Sequence, residues 1–288
     1  MVYNSGQFKM KKHLIILSTL VLFAFCGCSK YAGEPVTKDF SISGAYNALK
    51  VEDAFDVTVS DVATQVTITA GENVMPNVVV ETVDSTLKIY LKGWHTNLGT
   101  DMTVILPYNF DLRSVDLSGA SKFHSEYGLE GRKVDVELSG ASEFYCDIDA
   151  DDVDIDVSGA SDFFGNVLAD EIDIDLSGAS NIKGSVDADD LDLGLSGASD
   201  ATLEGIVGTL KINLSGASNI KKTINGNRYG FACDQCEGTM AGASNVYIHC
   251  DGTIKVNLSG ASDLHYTGNA ATTGCSTSGG SDIYHDVL

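Results

Sequence analysis

The sequence has little proline, 3 residues in 288, against 30 glycines. Charged residues make up only 20% of the chain. That composition suits a turn-rich β protein and argues against disorder. Basic residues are scarce, 18 Lys and Arg against 40 Asp and Glu, for a formal net charge of −22. No basic stripe could neutralise a phosphate backbone, so nucleic acid is excluded as a partner. No segment carries a helical apolar stripe of useful length. The chain also lacks the Gly-x-Ser-x-Gly elbow of nucleophilic hydrolases. It has no phosphate-binding glycine loop opening a helix, and no Gly-Gly-x-Gly-x-Asp repeat of calcium-binding β-rolls. His124, His249, His265 and His285 belong to no motif that joins them to a serine and an acid.

The longest apolar run covers residues 14–25, about 12 residues, too short to span a bilayer. Lys9, Lys11 and Lys12 precede it, and Cys26-Gly27-Cys28-Ser29 follows. This arrangement resembles a lipoprotein signal peptide over residues 1–27, with Cys28 as the lipidated residue and a linker over residues 28–38. An ordinary cleaved signal without lipid is the alternative. Met10 competes with Met1 as the initiator. The expected location is outside the cytoplasm, anchored to a membrane, at the outer membrane or cell surface.

A repeat dominates what remains. Ser-Gly-Ala-Ser or a close variant starts at residues 118, 139, 158, 177, 196, 215, 241, 259 and 278, mostly 19 residues apart. Take the first residue of each motif as position 0. Positions −5, −3 and −1 are apolar, as in Val153, Ile155 and Val157. Positions −4 and −2 are polar, as in Asp154 and Asp156. Strict alternation predicts a strand with one buried face. Glycine holds position +1 throughout: Gly119, Gly140, Gly159, Gly178, Gly197, Gly216, Gly242, Gly260 and Gly279. A positive φ or a close backbone approach accounts for that uniformity. Alanine at +2 is expected to point inward at a crowded corner. Serine at +3 is expected to bond local backbone. Apolar residues return at +5, such as Phe123, Phe144 and Phe163, and near +9, such as Ile148, Val167, Val186 and Ile224.

One such unit cannot bury its own apolar face, but stacked units can. The expectation is an all-β, single-stranded, right-handed parallel β-helix with about 19 residues per coil. The nine motif coils would form a rod roughly 40 Å long. Irregular first coils are expected over residues 39–110 and regular repeats over 111–288. Ser43-Gly44-Ala45-Tyr46 reads as a decayed motif.

The Leu-Ser-Gly-Ala-Ser blocks, Phe-Asp-Val-Thr-Val at 55–59 and Leu-Lys-Ile-Tyr-Leu at 87–91 resemble the putative auto-transporter adhesin, head GIN domain family (DUF2807). Its members include exported lipoproteins of Bacteroidetes. The resemblance covers residues 40–284 and implies a pectate-lyase-like β-helix. It brings no catalytic residues with it.

Several residue sets are candidates for chemistry. Asp154, Asp173 and Asp192, and likewise Asp156 and Asp175, should stack in columns about 4.8 Å apart. They could share Ca²⁺, or simply form a solvated face that keeps the rod from aggregating. Tyr145 and Phe164, and separately Tyr247 and Tyr284, lie at +6 and could stack on a glycan or pack beneath a loop. Cys233-x-x-Cys236 could close a disulfide, whereas Cys236, Cys250 and Cys275 fall at inward positions. A non-catalytic surface adhesin, binding a glycan or surface protein, is the leading function. A polysaccharide lyase or hydrolase on the same shape and a purely structural envelope scaffold are the alternatives.

Overall fold

A computed structural model describes residues 32–93, 101–226 and 228–288. The signal segment and Cys28 lie outside these residues.

The alternation becomes a stack of parallel strands. Leu129–Leu138, Ile148–Val157, Glu171–Leu176, Asn181–Leu195, Asp200–Leu214, Phe231–Met240 and Asn245–Leu258 pair in chain order. Each repeat therefore meets the next with like opposite like. Val136, Ile155, Ile174, Leu193 and Ile212 form one inward column. Leu138, Val157, Leu176, Leu195 and Leu214 form another, and every member of both is buried. Burying each such side chain contributes about 1.5–3 kcal/mol, so the columns are the main source of stability. A second wall of the coil carries the +5 column. Its Phe123, Phe144 and Phe163 rings stack at centroid distances of 5.4 and 5.0 Å. This is an all-β solenoid.

The motif makes the corner between these walls. Gly140, Gly159, Gly178 and Gly197 have φ between 75° and 80°. A Cβ on Gly159 would lie 2.5 Å from the Gly140 carbonyl oxygen. Both constraints select glycine. The next amide holds the coils together there: Ala160 N–H donates to Gly140 O at 2.8 Å, and Ala179 N–H to Gly159 O at 2.7 Å. The alanine side chains do not point inward as expected; Ala141, Ala160, Ala179 and Ala198 are exposed. The left-handed glycine turns the chain so that both +1 and +2 face solvent. The inward residue is the +3 serine, buried in every repeat. Its hydroxyl is satisfied locally: Ser142, Ser199 and Ser218 Oγ each donate to the carbonyl three residues back, at 2.7–2.8 Å.

The N-terminal region departs from chain order. Ala48–Val51 lies between Ser114–Leu117 and Thr86–Leu91. Phe55–Ser60 lies between Lys122–His124 and Met102–Pro107. Thr86–Leu91 and Met102–Pro107 thus lie on the side away from the repeats, and the chain must cross back over residues 108–113 to resume the stack. Antiparallel pairings of Pro35–Phe40 with Val66–Gly71, and of Val78–Val83 with Thr86–Leu91, complete this end. The motif equivalent of the inner coil is Glu52-Asp53-Ala54, because Val51 pairs with Leu117 and Asp56 with Lys122. Asp53 and Ala54 both take φ 67° at that corner. Ser43-Gly44-Ala45-Tyr46 precedes the strand and is not the corner.

The long spacing before Ala241 holds an extra hairpin, Ile224–Asn225 against Arg228–Tyr229. Ile224 is therefore exposed rather than interior, and Phe231 returns the chain to the core.

Candidate binding site

The crossing segment and the first corner loop build the most sculpted surface. Asn109 shapes the crossing: its Oδ1 accepts from Asp111 N–H at 3.0 Å, and its Nδ2 donates to Tyr46 O at 2.8 Å. Arg113 and Ser114 N–H then anchor on Asn47 O at 2.8 and 3.2 Å. The neighbouring loop turns on Ser125, whose Oγ accepts from Tyr127 N–H at 3.2 Å. Gly128, at φ 73°, carries the chain out of that loop. Tyr108 and Tyr127 meet with ring centroids 4.9 Å apart, tilted by 42°. They remain 44% and 36% exposed, and Phe110 beside Tyr108 is 71% exposed. Exposed rings rather than buried ones are the informative observation here.

Three hollows converge on this loop. One of about 670 Å³ runs from Tyr127 and Glu130 past Tyr145 and Asp147 to Asn166. A second, about 720 Å³, lies between Thr58, Ile105, His124 and Tyr127. A third, about 280 Å³, sits under Tyr108, Phe110 and Arg113. Their rims carry Glu126, Glu130, Asp147, Asp149 and Asp187.

The +6 column forms the wall between the first two hollows. His124 and Tyr145 stack at 4.5 Å and 9°, and Tyr145 and Phe164 at 4.7 Å and 11°. Tyr145 is sandwiched, and Lys183 follows Phe164 in register. The ladder therefore presents ring edges, since stacking covers the faces. A second ladder, Tyr247, His265 and Tyr284, stacks at 4.7 and 4.6 Å. Tyr284 ends it with one open face and is 41% exposed. Burial and then the Glu143 carboxylate push the Tyr145 hydroxyl up to about 12. The Lys122 ammonium, 2.6 Å away, holds Glu143 below its ordinary value.

The aspartates face one another in register: Asp135, Asp154, Asp173 and Asp192 in one column, Glu137, Asp156 and Asp175 in the next. Burial, reinforced by the neighbouring carboxylates, raises the pKa of Asp156, Asp173 and Asp175. Among the described residues, no group of three or more His, Cys, Asp or Glu is arranged to hold a metal ion. The five described cysteines are free thiols. Cys236 and Cys250 are buried as expected, whereas Cys275 is half-buried.

One constellation looks catalytic at first sight. His249 Nδ1 lies 3.0 Å from Thr267 Oγ1, and its Nε2 lies 3.2 Å from Asp251. But Thr267 is buried, and its hydroxyl oxygen accepts Tyr229 N–H at 3.2 Å. The group anchors the extra hairpin. Tyr229, fully buried, also donates to Asp286, which His265 Nδ1 meets at 3.0 Å.

Sequence reasoning found the two ladders but missed Tyr108, Phe110 and Tyr127. These residues lie in irregular connections, where no period marks them. It also missed His124 as the first rung, although its +6 position could have shown it.

The fold has solved counterparts. A putative adhesin from Parabacteroides distasonis superimposes with a TM-score of 0.66 at 20% identity, covering 88% of this chain and 98% of that one. A putative lipid binding protein from the same species gives 0.59 at 19% identity, covering 87% and 96%. A putative adhesin from Parabacteroides merdae gives 0.53 at 19% identity, covering 87% and 95%. At these identities the likeness shows the fold alone. No curated protein matches the chain. The family profile described as "Putative auto-transporter adhesin, head GIN domain" matches residues 45–185 and 163–270, and the chain belongs to that family.

Proposed function

We propose that this chain is a non-catalytic, envelope-anchored adhesin that holds a neutral glycan in the hollows around Tyr127. The observation that carries the reading is the pair of exposed, tilted rings, Tyr108 and Tyr127, at the meeting point of three hollows. Sugar rings present C–H faces that pack on aromatic faces, and these two rings, tilted against each other, each keep part of their surface open to solvent. Asn166, Asp147 and Glu130 supply hydrogen-bonding groups within reach of hydroxyls. The acidic rim opposes anionic sugars and anionic lipid headgroups alike. Membership of an adhesin-named family agrees with a binding role. The signal-like residues 9–28, ending in Cys28, support an anchor outside the cytoplasm.

A glycan array probed with the chain lacking residues 1–28 tests the proposal. Binding to neutral oligosaccharides is expected, with Tyr127→Ala and Tyr108→Ala each weakening it by at least ~10-fold. Both side chains are exposed, so both variants should fold. A blank array, binding only to anionic vesicles, or full binding by both variants would each refute the proposal. Release of reducing or unsaturated ends from a bound polysaccharide would replace it with the enzymatic alternative.

A further inference from the structure

We infer that Cys233 and Cys250, free thiols in this structure, close on oxidation into an inter-coil disulfide, a covalent clasp between the long coil and the one after it. The two residues are direct register partners on adjacent parallel strands. Both are buried, at 4% and 0% exposure. Each thiol is a hydrogen-bond neighbour of the other inside the solenoid, and Cys233 also meets the Cys236 thiol. Register partners lie about 4.8 Å apart, within the Cα separation that a disulfide tolerates.

The sequence suggests the pair Cys233–Cys236 instead. An extended chain advances about 3.3 Å per residue, so three residues span roughly 10 Å. The chain bends here, with Asp234 and Gln235 exposed between two buried cysteines, and that bend brings the Cys233 and Cys236 thiols near each other. Cys236 is nevertheless registered with Ile254 across the gap, not with a thiol. Stacking thus assigns Cys250 to Cys233 and leaves Cys236 as a buried thiol.

The reaction needs an oxidant, and a small-molecule or protein disulfide serves. One thiol loses its proton, and its sulfur attacks the oxidant's S–S bond. The mixed disulfide forms and one thiol leaves. The second cysteine, deprotonated in turn, displaces the other thiol. Two thiols on the protein are oxidised, and the oxidant's disulfide is reduced to two thiols. Neighbouring thiols and burial push Cys233 and Cys250 well above the ordinary cysteine pKa. The folded, reduced protein should therefore react slowly, and the bond should close while the last coils are still docking.

Refolding of the chain lacking residues 1–28 with glutathione disulfide, followed by alkylation of free thiols and peptide mapping, tests the assignment. The segment 229–254 contains no Lys or Arg, so trypsin leaves all three cysteines on one peptide. Cleavage after Glu237 separates Cys233 and Cys236 from Cys250. The expected product is two peptides joined by a reducible link, with Cys236 alkylated. Reduction should lower the unfolding midpoint by about 5–10 °C. The link should persist in Cys236→Ala and vanish in Cys233→Ala. A Cys233–Cys236 bond within one peptide, or three alkylated cysteines after oxidative refolding, would overturn the inference. The wild-type map decides it even if a variant fails to fold.

Discussion

Gly178→Ala separates the two constraints that select glycine at the corners. The first is torsional. Gly178 has φ 80°, and a left-handed conformation costs an L-residue about 1–2 kcal/mol. Part of that is offset, because alanine loses about 0.4–1 kcal/mol less on ordering the unfolded chain. The second constraint is contact. A Cβ at Gly178 would lie 2.4 Å from the Gly159 carbonyl oxygen. That oxygen is backbone, so no rotamer change relieves the clash. It also accepts the Ala179 N–H at 2.7 Å, so retreat stretches an inter-coil hydrogen bond worth about 1 kcal/mol. With about 1 kcal/mol or more of residual strain from the clash itself, the total is about 2–4 kcal/mol. Gly44→Ala is the control: its φ is 94°, but no atom lies within 4 Å of the added Cβ. It should cost about 1 kcal/mol. Gly119→Ala falls between, since its nearest neighbour is Asp53 N at 3.2 Å. At about 2–4 °C per kcal/mol, melting followed by circular dichroism should drop roughly 4–16 °C for Gly178→Ala and 2–4 °C for Gly44→Ala. Hydrogen exchange at the Ala179 amide should accelerate only in the former. Equal losses at Gly44 and Gly178 would refute the close-approach argument and leave the torsion as the sole reason for glycine.

Asp173→Asn should stabilise the protein at pH 7, because Asp173 faces Asp154 and Asp192 in register. Two carboxylate pairs about 4.8 Å apart each repel by somewhat under 1 kcal/mol in water, and salt screens part of that, so a gain of about 0.5–1 kcal/mol is expected by urea melting. The two acidic columns together set a pH dependence. Asp156, Asp173 and Asp175 have raised folded-state pKa values, so their contribution to stability is full below the unfolded value and declines as pH rises through the folded one. The Asp173→Asn gain should accordingly shrink as pH falls from 7 towards about 4; a gain independent of pH would show that charge is not its cause. Phe144→Ala removes the middle ring of the buried Phe stack and should cost about 3–5 kcal/mol in the same melts.

The regular coils were legible because their physics is one-dimensional. Alternation at −5 to −1 names the buried face, and the constant period aligns each residue with its counterpart. The Asp154–Asp173–Asp192 column and the Phe123–Phe144–Phe163 stack follow from those two facts. Three features were not legible, each for a stated reason. The exposure of Ala160 and its equivalents depends on the sense in which Gly159 turns, and alternation does not carry that sign. The placement of Thr86–Leu91 and Met102–Pro107 outside residues 48–60 is a choice of spatial order, invisible in local pattern. The corner at Asp53-Ala54 uses left-handed residues other than glycine, so a search for the motif passes over it.

The same one-dimensionality bears on where recognition can arise. A stacked column repeats one side chain at one spacing and covers the faces of its own rings, as Tyr145 is covered by His124 and Phe164. Such a wall offers edges and charges, which tune solubility but distinguish partners poorly. A selective site needs concavity and uncovered faces, and both require the repeat to break. The break occurs because Thr86–Leu91 and Met102–Pro107 lie beyond residues 48–60, so the chain must cross back over residues 108–113. That crossing places Tyr108 and Phe110 beside the Tyr127 loop and leaves hollows between them. If recognition does reside at this break, shortening the solenoid by deleting one whole coil, residues 197–215, should leave glycan binding intact, because every residue lining the three hollows lies before that coil. Loss of binding in a folded variant of that kind would place the site on the regular wall instead.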